Sequence, residues 1–164
     1  MLSTANEVVT GGSQVNIAVA GSAEDYSWSS GDAARAGWEK VPGANLVVVN
    51  NPAKSKALVL ARWWVEPVCN SPADVSAACN VRLVLGGQIG KPRTSPSGLN
   101  DVLAQGDTLG PRTVERYWVV GPGRYLLQVQ VHVATRTSSS VFFTNSWMLS
   151  AEVYRYFSTV SRPA

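Results

Sequence analysis

Apolar and polar residues alternate with a period of two along much of this chain. The alternation is clearest between residues 124 and 135. Its apolar positions are Tyr125, Leu127, Val129, Val131 and Val133. The positions between them include Arg124, Gln128, Gln130 and His132. Because successive side chains of a β-strand point to opposite sides, this segment predicts a strand with one buried face and one face turned to water or to a partner.

Two further segments show the same alternation. In residues 57–66 the inward positions are Ala57, Val59, Ala61, Trp63 and Val65. The outward positions of that segment include Arg62, Trp64 and Glu66. In residues 147–156 the inward positions are Trp147, Leu149, Ala151 and Val153. The outward positions there are Ser150, Glu152, Tyr154 and Tyr156. Strands with one buried face are typical of antiparallel sheets.

Shorter apolar runs between turn-forming residues bring the predicted number of strands to about eight. They cover residues 15–19, 44–50, 81–87, 113–120 and 141–143. Only residues 31–40, GDAARAGWEK, favour a turn or two of helix. The predicted fold is therefore all-β, an antiparallel β-sandwich of jelly-roll type. An immunoglobulin-like sandwich ranks second, because the two cysteines lie too close in sequence to bridge the sheets as in that family.

Length and composition agree with one β-rich domain. The chain has 164 residues, of which 45% are hydrophobic and 15% charged, with six tryptophans. This length suffices for a self-sufficient core. We predict a polar N-terminal arm over residues 1–14, a single domain over 15–158, and a short C-terminal tail over 159–164.

Charge and hydropathy exclude two classes of partner. The formal net charge is +3, and the basic residues are spread along the chain, so no nucleic-acid partner is expected. No apolar run reaches the roughly 18 residues of a membrane-spanning helix, so no membrane insertion is expected. The start, MLSTANEVVTGGSQ, lacks the features of a signal peptide. The expectation is that an export signal has been removed, or that the protein leaves the cell by another route, such as the release of phage particles by lysis.

The only cysteines, Cys69 and Cys79, lie in a loop between two predicted strands. The loop ends are therefore expected to lie close together, which makes a disulfide geometrically easy. Closing this loop should stabilise the fold by roughly 2–3 kcal/mol. The disulfide implies that the mature protein works outside a reducing cytoplasm. The alternative is a pair of buried free thiols in a cytosolic protein.

Aromatic residues at outward positions predict an interaction surface. They are Trp64, Tyr117, Tyr154 and Tyr156. If their strands are neighbours, these side chains form an exposed patch bordered by Arg62, Glu66, Arg116 and Arg155. The patch is predicted to mediate oligomerisation. The alternatives are that N-terminal strands cover it, that the aromatics are scattered, or that it binds a cell-surface glycan by stacking on sugar rings.

Residues that could carry catalysis or hold a cofactor are sparse. His132 is the only histidine, and its outward strand position favours a surface or interface role over a catalytic one. Two cysteines ten residues apart and one distant histidine do not supply a zinc site. Glu66, Glu115 and Glu152 lie at outward strand positions, which are more typical of a solvated sheet face than of a glycosidase pair. Glu24, Asp25 and Asp32 favour an acidic loop over a calcium site. We therefore predict no enzyme, no metal and no cofactor.

The chain also resembles known jelly-roll proteins. The segments KALVLARWWVEPVCN, CNVRLVLGGQIGKP and VERYWVVGPGRYLLQVQVHVATRTSSSVFFTNSWMLSAEVYRY resemble a group of uncharacterised bacterial and phage jelly-roll proteins. The turn and strand GRYLLQVQV is similar to that of tumour-necrosis-factor-like domains, which are trimeric. The resemblance covers residues 41 to 157 and implies a jelly-roll fold and a trimer whose outward aromatics line the three-fold contact.

These observations predict a non-enzymatic structural protein of a phage virion. Its expected role is that of an oligomeric capsid decoration (cementing) protein or a tail-associated protein, with capsid or tail proteins as partners. The expected location is the virion. The alternative is a secreted or surface-displayed carbohydrate-binding module with Trp64, Tyr154 and Tyr156 as its platform.

Overall fold

A computed structural model describes residues 7–10, 13–22, 26–29, 37–50, 55–70, 78–92, 102–105, 111–134, 141–155 and 158–161. These residues form twelve strands and no helix. The first six strands are β1 (Glu7–Thr10), β2 (Ser13–Ser22), β3 (Tyr26–Ser29), β4 (Glu39–Asn50), β5 (Ala57–Asn70) and β6 (Ala78–Leu85). The others are β7 (Gln88–Ile89), β8 (Val102–Gln105), β9 (Arg112–Val120), β10 (Gly123–Ala134), β11 (Val141–Arg155) and β12 (Ser158–Ser161).

The strands form two five-stranded antiparallel sheets and one small ribbon. Sheet I has the order β2–β11–β5–β9, and β3 also pairs with β11. Sheet II has the order β4–β10–β6–β7, and β8 also pairs with β6. Strands β1 and β12 pair with each other. The prediction of an all-β chain with antiparallel sheets is confirmed.

The hydrophobic core lies between sheets I and II. The predicted inward residues of β5, from Ala57 to Val65, have no exposed surface, and Leu149 of β11 is equally buried. Sheet II contributes Leu83, Leu127, Val129 and Val131 to the same cluster. The period-two alternation therefore predicted the buried side of these strands correctly, because it follows directly from the pleat of the backbone.

The strand count differs from the prediction in two ways. The short strands β1, β3, β7 and β8, and also β12, have two to four residues each and give little alternation to detect. Residues 141–143 and 147–155, predicted to lie in separate strands, belong to the continuous strand β11. A register shift against β5 between Thr144 and Trp147 absorbs the polar residues that look like a turn in the sequence.

Two other predicted segments overlap the described residues. The predicted helical turn over 31–40 is wrong at its end, because Glu39 and Lys40 begin β4, and residues 31–36 lie outside the described residues. Part of the predicted arm, Glu7–Thr10, pairs as β1 with Ser158–Ser161 near the C-terminus. Two short segments, one near each end of the chain, thus form one ribbon.

The two sheets are linked by hydrogen bonds at one edge of the sandwich. After β7 the chain leaves sheet II, and the Lys91 N–H donates to the Tyr117 carbonyl of β9 in sheet I (3.0 Å). The Tyr117 N–H donates in return to the Lys91 carbonyl (2.9 Å). At Gly90 the backbone passes very close to β9, since a Cβ atom at this position would lie 2.5 Å from the Cβ of Arg116.

Replacing Gly90 by alanine is expected to lower the free energy of unfolding by about 1–3 kcal/mol, because the new methyl group overlaps Arg116 and Trp118. Urea denaturation followed by tryptophan fluorescence measures the change. Gly121→Ala is the matched control, since no atom lies within 4 Å of a Cβ built at that position. Equal stability of the two variants would contradict the close packing at Gly90.

Candidate functional site

The candidate site is the outer face of sheet I, the side turned away from the core. Because directly paired residues of antiparallel strands share a face, the register defines its members on four adjacent strands. These are Val19 of β2, Met148, Ser150, Glu152 and Tyr154 of β11, Leu58, Leu60, Arg62 and Trp64 of β5, and Thr113, Glu115, Tyr117 and Val119 of β9. We call this set the sheet I outer face.

Three of the predicted aromatic residues lie on this face. Trp64, Tyr117 and Tyr154 are half-buried and come from the neighbouring strands β5, β9 and β11. The tyrosines flank a pair of leucines, since Tyr117 is paired with Leu60 and Tyr154 with Leu58. Trp64 lies four residues from Leu60 along β5, where it pairs with Met148 of β11 and with Thr113 of β9. Tyr156 lies outside the described residues.

The arginines predicted around the patch separate into different environments. Arg62 lies on the sheet I outer face, paired with Glu115 and Ser150. Arg155 follows Tyr154 directly, so the alternation puts it on the other side of β11. The prediction that Arg116 borders the patch is wrong, because Arg116 is only 6% exposed. It shares the inward side of β9 with Val114, Trp118 and Val120.

Arg62 is the centre of a charged cluster on the sheet I outer face. Its Nε donates to Glu115 Oε2 (2.5 Å) and its Nη1 to Glu152 Oε1 (2.7 Å). The Tyr154 hydroxyl donates to the second oxygen of Glu152. The hydrogen bond to Glu115 raises the pKa of Arg62, and the hydrogen bond to Glu152 raises the pKa of Tyr154. One guanidinium thus joins strands β5, β9 and β11 across the face.

The carboxylates considered for catalysis have structural partners. Glu115 and Glu152 both accept hydrogen bonds from Arg62, and Glu66 accepts one from the Ser146 hydroxyl (3.3 Å). The geometry of Glu115 and Glu152 therefore favours the solvated ion-pair network over a glycosidase pair.

Apolar side chains surround the Arg62 cluster. Val19, Met148 and Val119 are exposed, and Leu58 and Leu60 are half-buried. Exposed apolar residues that are contiguous on one face, rather than scattered singly, mark interaction surfaces. The sheet I outer face has the composition of an interface, with an apolar and aromatic surface around one hydrogen-bonded charge cluster.

The outer face of sheet II carries a second cluster that the sequence analysis missed. The Arg82 guanidinium lies over the Trp38 ring, 4.3 Å from its centroid, and its Nε donates to Gln130 Oε1 (2.6 Å). The Trp38 and His132 rings lie 5.5 Å apart between centroids. The alternation did place Gln130 and His132 outward. Trp38, however, falls in the predicted helical turn, and nothing in the sequence pairs it with Arg82, 44 positions later (82 − 38).

Among the described residues, no three or more His, Cys, Asp or Glu side chains group in a way that could hold a metal ion. The described part of the chain also contains no helix long and apolar enough to cross a membrane. No family model matches the sequence, and the search of curated proteins gives no match. The two outer faces are the candidate interaction surfaces of the described part of the chain.

Acidification from about pH 7.5 to about pH 5.5 is expected to lower the free energy of unfolding through His132. Burial and, secondarily, the charge of Arg82 lower the pKa of His132 below its ordinary value of 6.5. In the unfolded chain His132 keeps its ordinary, higher pKa. At pH values below about 6.5 the unfolded chain therefore binds the proton more readily than the folded chain. The stabilisation is present above about pH 6.5 and is lost as the pH falls.

Urea denaturation at several pH values, on the wild type and on His132→Gln, checks this prediction. His132 is the only histidine, so its replacement should flatten the pH dependence between about pH 5.5 and 7. An unchanged slope in His132→Gln would show that another group is responsible.

Proposed function

We propose that this protein is a non-enzymatic, oligomeric jelly-roll protein of a phage virion, a capsid decoration (cementing) protein or a tail-associated protein. The observation that carries the proposal is the sheet I outer face, an apolar and aromatic surface with a single internally paired charge cluster. Such a face suits contact with another protein surface better than contact with water.

The nesting of strand pairs supports the jelly-roll assignment. From the outer pair to the inner pair, β2 pairs with β11, β4 with β10, β5 with β9, and β6 with β7 and β8. This is the pairing of one long antiparallel hairpin. Rolling that hairpin up brings β11 beside β5 and β10 beside β6, and both contacts are present. Jelly rolls of this kind occur in viral capsid proteins and in lectins.

The internal pairing of Arg62 supports a protein partner for the sheet I outer face. Arg62, Glu115 and Glu152 already satisfy one another within one chain. When a partner covers an unpaired charge, the free-energy cost of removing water from that charge is large. The cost is smaller for a charge that already has an oppositely charged partner in its own chain. The surrounding valine, leucine and methionine side chains then supply the burial of apolar area that drives association.

Val19→Lys is expected to convert the oligomer, proposed to be a trimer, into a monomer. Val19 is 58% exposed within one chain, so a lysine there disrupts the proposed contact without removing core packing. Native mass spectrometry of the wild type and the variant measures the change. Val47→Lys is the matched control, because Val47 is 49% exposed on the opposite, sheet II side.

A wild-type monomer at micromolar concentration would contradict self-association, and so would a Val47→Lys variant that dissociates as completely as Val19→Lys. The virion setting has its own test, which is to purify phage particles from the natural source and probe them for the chain. Chain that remains bound to intact particles through a density gradient supports the proposal. Chain found only in the soluble fraction contradicts it.

A secreted or surface-displayed carbohydrate-binding module is the second candidate function. The observation in its favour is that the half-buried Trp64 lies on the same face as the Arg62–Glu115 pair, two positions along β5 from Arg62. An aromatic ring beside hydrogen-bonding groups is an arrangement that suits a sugar ring. A glycan array on which the wild type binds and Trp64→Ala does not would favour this candidate over the virion protein.

A further inference from the structure

The outer face of sheet II differs in chemistry from that of sheet I. The register puts Lys40, Gln130 and Arg82 in one row across β4, β10 and β6. The adjoining row contains Asn45, Gln128 and Val84, of which Val84 is buried. At the described outer positions of these three strands there is no aspartate or glutamate. Around Arg82 this face therefore presents side-chain amides, and the exposed apolar residues Val47 and Leu126 pair with each other in the next row.

Arg82 is fixed in place without a carboxylate partner in the described part of the chain. The Trp38 ring lies against its guanidinium, and its Nε donates to Gln130. These two contacts leave the Nη donors of a half-buried guanidinium directed to no described acceptor. A guanidinium held rigidly with donors to spare is suited to bind a planar carboxylate through two hydrogen bonds. Burial also lowers the pKa of Arg82.

His132 and the glutamines add polar groups around Arg82. The His132 Nδ1 is buried and has no hydrogen-bond partner among the described residues. Gln128 is half-buried in the middle of the face, and Asn45 beside it is exposed. Side-chain amides both donate and accept hydrogen bonds, which matches the hydroxyl groups of a sugar. A few such groups around one charged residue are sufficient to orient a small ligand.

We propose that the outer face of sheet II binds an acidic oligosaccharide, with the carboxylate of a uronic acid residue on Arg82 and sugar hydroxyls on Gln128 and Asn45. Trp38 and Gln130 are positioning residues, because they hold the guanidinium and need not touch the sugar. The charge of Arg82 selects an acidic sugar over a neutral one, and no carboxylate lies at the described outer positions of β4, β10 and β6 to repel it. The inference does not depend on the proposed function, since it concerns the opposite side of the sandwich.

The experiment titrates the full chain with hexagalacturonate and with its fully methyl-esterified form, and follows amide shifts by NMR and heat by calorimetry. The two ligands have the same sugar rings and differ only in charge. Binding of the acid alone is expected, with shifts centred on β10 and β6. Arg82→Gln is expected to weaken binding at least about tenfold, because a two-hydrogen-bond ion pair is lost. Arg112→Gln, an exposed change of the same charge on β9, should alter it less than about twofold.

Arg82→Lys covers the case in which Arg82→Gln does not fold. It keeps the charge but lacks the planar fork, so a similar loss is expected from it. No binding of hexagalacturonate would overturn the proposal, and so would equal weakening by Arg112→Gln. Equal affinity for a single-stranded DNA of the same charge would also overturn it, because attraction of any polyanion would then explain the result. Val19→Lys should bind like the wild type, which separates this site from self-association through sheet I.

Discussion

Replacing Trp63 by alanine is expected to lower the free energy of unfolding by about 3–5 kcal/mol, the largest effect of any single substitution considered for this chain. Trp63 lies in the middle of β5 and has no exposed surface. Alanine removes the apolar contacts of the indole and leaves a cavity between two sheets whose backbones are fixed by their ladders. Domains of this size are stable by only about 5–15 kcal/mol, so the variant should be close to unfolding at physiological temperature.

The adjacent residue provides the matched control for this prediction. Trp64 has the same side chain on the same strand, but it lies half-buried on the outer face. Trp64→Ala in dilute monomer should therefore cost less than half as much as Trp63→Ala. Guanidinium denaturation of both variants measures the difference, and equal losses would show that the core does not lie on the Trp63 side of β5.

Trp63→Phe separates packing from hydrogen bonding in the same position. The Trp63 Nε1 is buried without a hydrogen-bond partner among the described residues. Phenylalanine removes this donor together with part of the ring, so the penalty of the lost volume is offset by relief of a buried unsatisfied group. A loss well below that of Trp63→Ala is expected.

Reduction of the predicted Cys69–Cys79 disulfide is expected to lower the free energy of unfolding by about 2–3 kcal/mol. Cys69 lies in β5 of sheet I, opposite Phe142 of β11, and Cys79 lies in β6 of sheet II, opposite Val133 of β10. A bond between them would therefore join the two sheets, although the loop that it closes is short. Cys79 is fully buried and is not a free thiol in this structure. Its pairing with Cys69 stays a prediction.

Mass spectrometry of the denatured, unreduced chain tests the disulfide directly, since oxidation removes two hydrogen atoms. Thermal denaturation with and without reductant then measures its contribution. The double variant Cys69→Ser/Cys79→Ser is the control, because its stability should not respond to reductant. An unreduced chain that alkylates at both cysteines would overturn the disulfide and, with it, the argument for an oxidising environment.

The two outer faces are proposed to have different functions, self-association for sheet I and binding of an acidic sugar for sheet II. Sheet I turns outward the aromatic and aliphatic side chains around Arg62, and sheet II turns outward the side-chain amides around Arg82. If the chain associates through sheet I, several copies of the sheet II face point away from the contact. Weak binding of an acidic sugar at each copy would then add up through avidity.

The alternation of apolar and polar residues is sufficient to identify the buried residues of the long strands. Trp63, Leu127 and Leu149 are identified by alternation alone, because the pleat of a strand is a local property and each residue reports its own side. The outward positions of Trp64, Tyr117 and Tyr154 follow from the same rule. So does the inward position of Arg116, which a strict reading of β9 would have predicted despite its charge.

The identity of neighbouring strands, and therefore the contacts of the outward residues, could not be predicted from the sequence and is seen in the folded chain. Arg62 meets Glu115 and Glu152, which lie 53 and 90 residues away along the chain, and no local pattern specifies such pairs. The same holds for the stacking of Arg82 on Trp38 and for the Lys91–Tyr117 link between the sheets. Long-range pairing depends on the balance between the entropy of closing large loops and the burial of a shared core, which is a property of the whole chain.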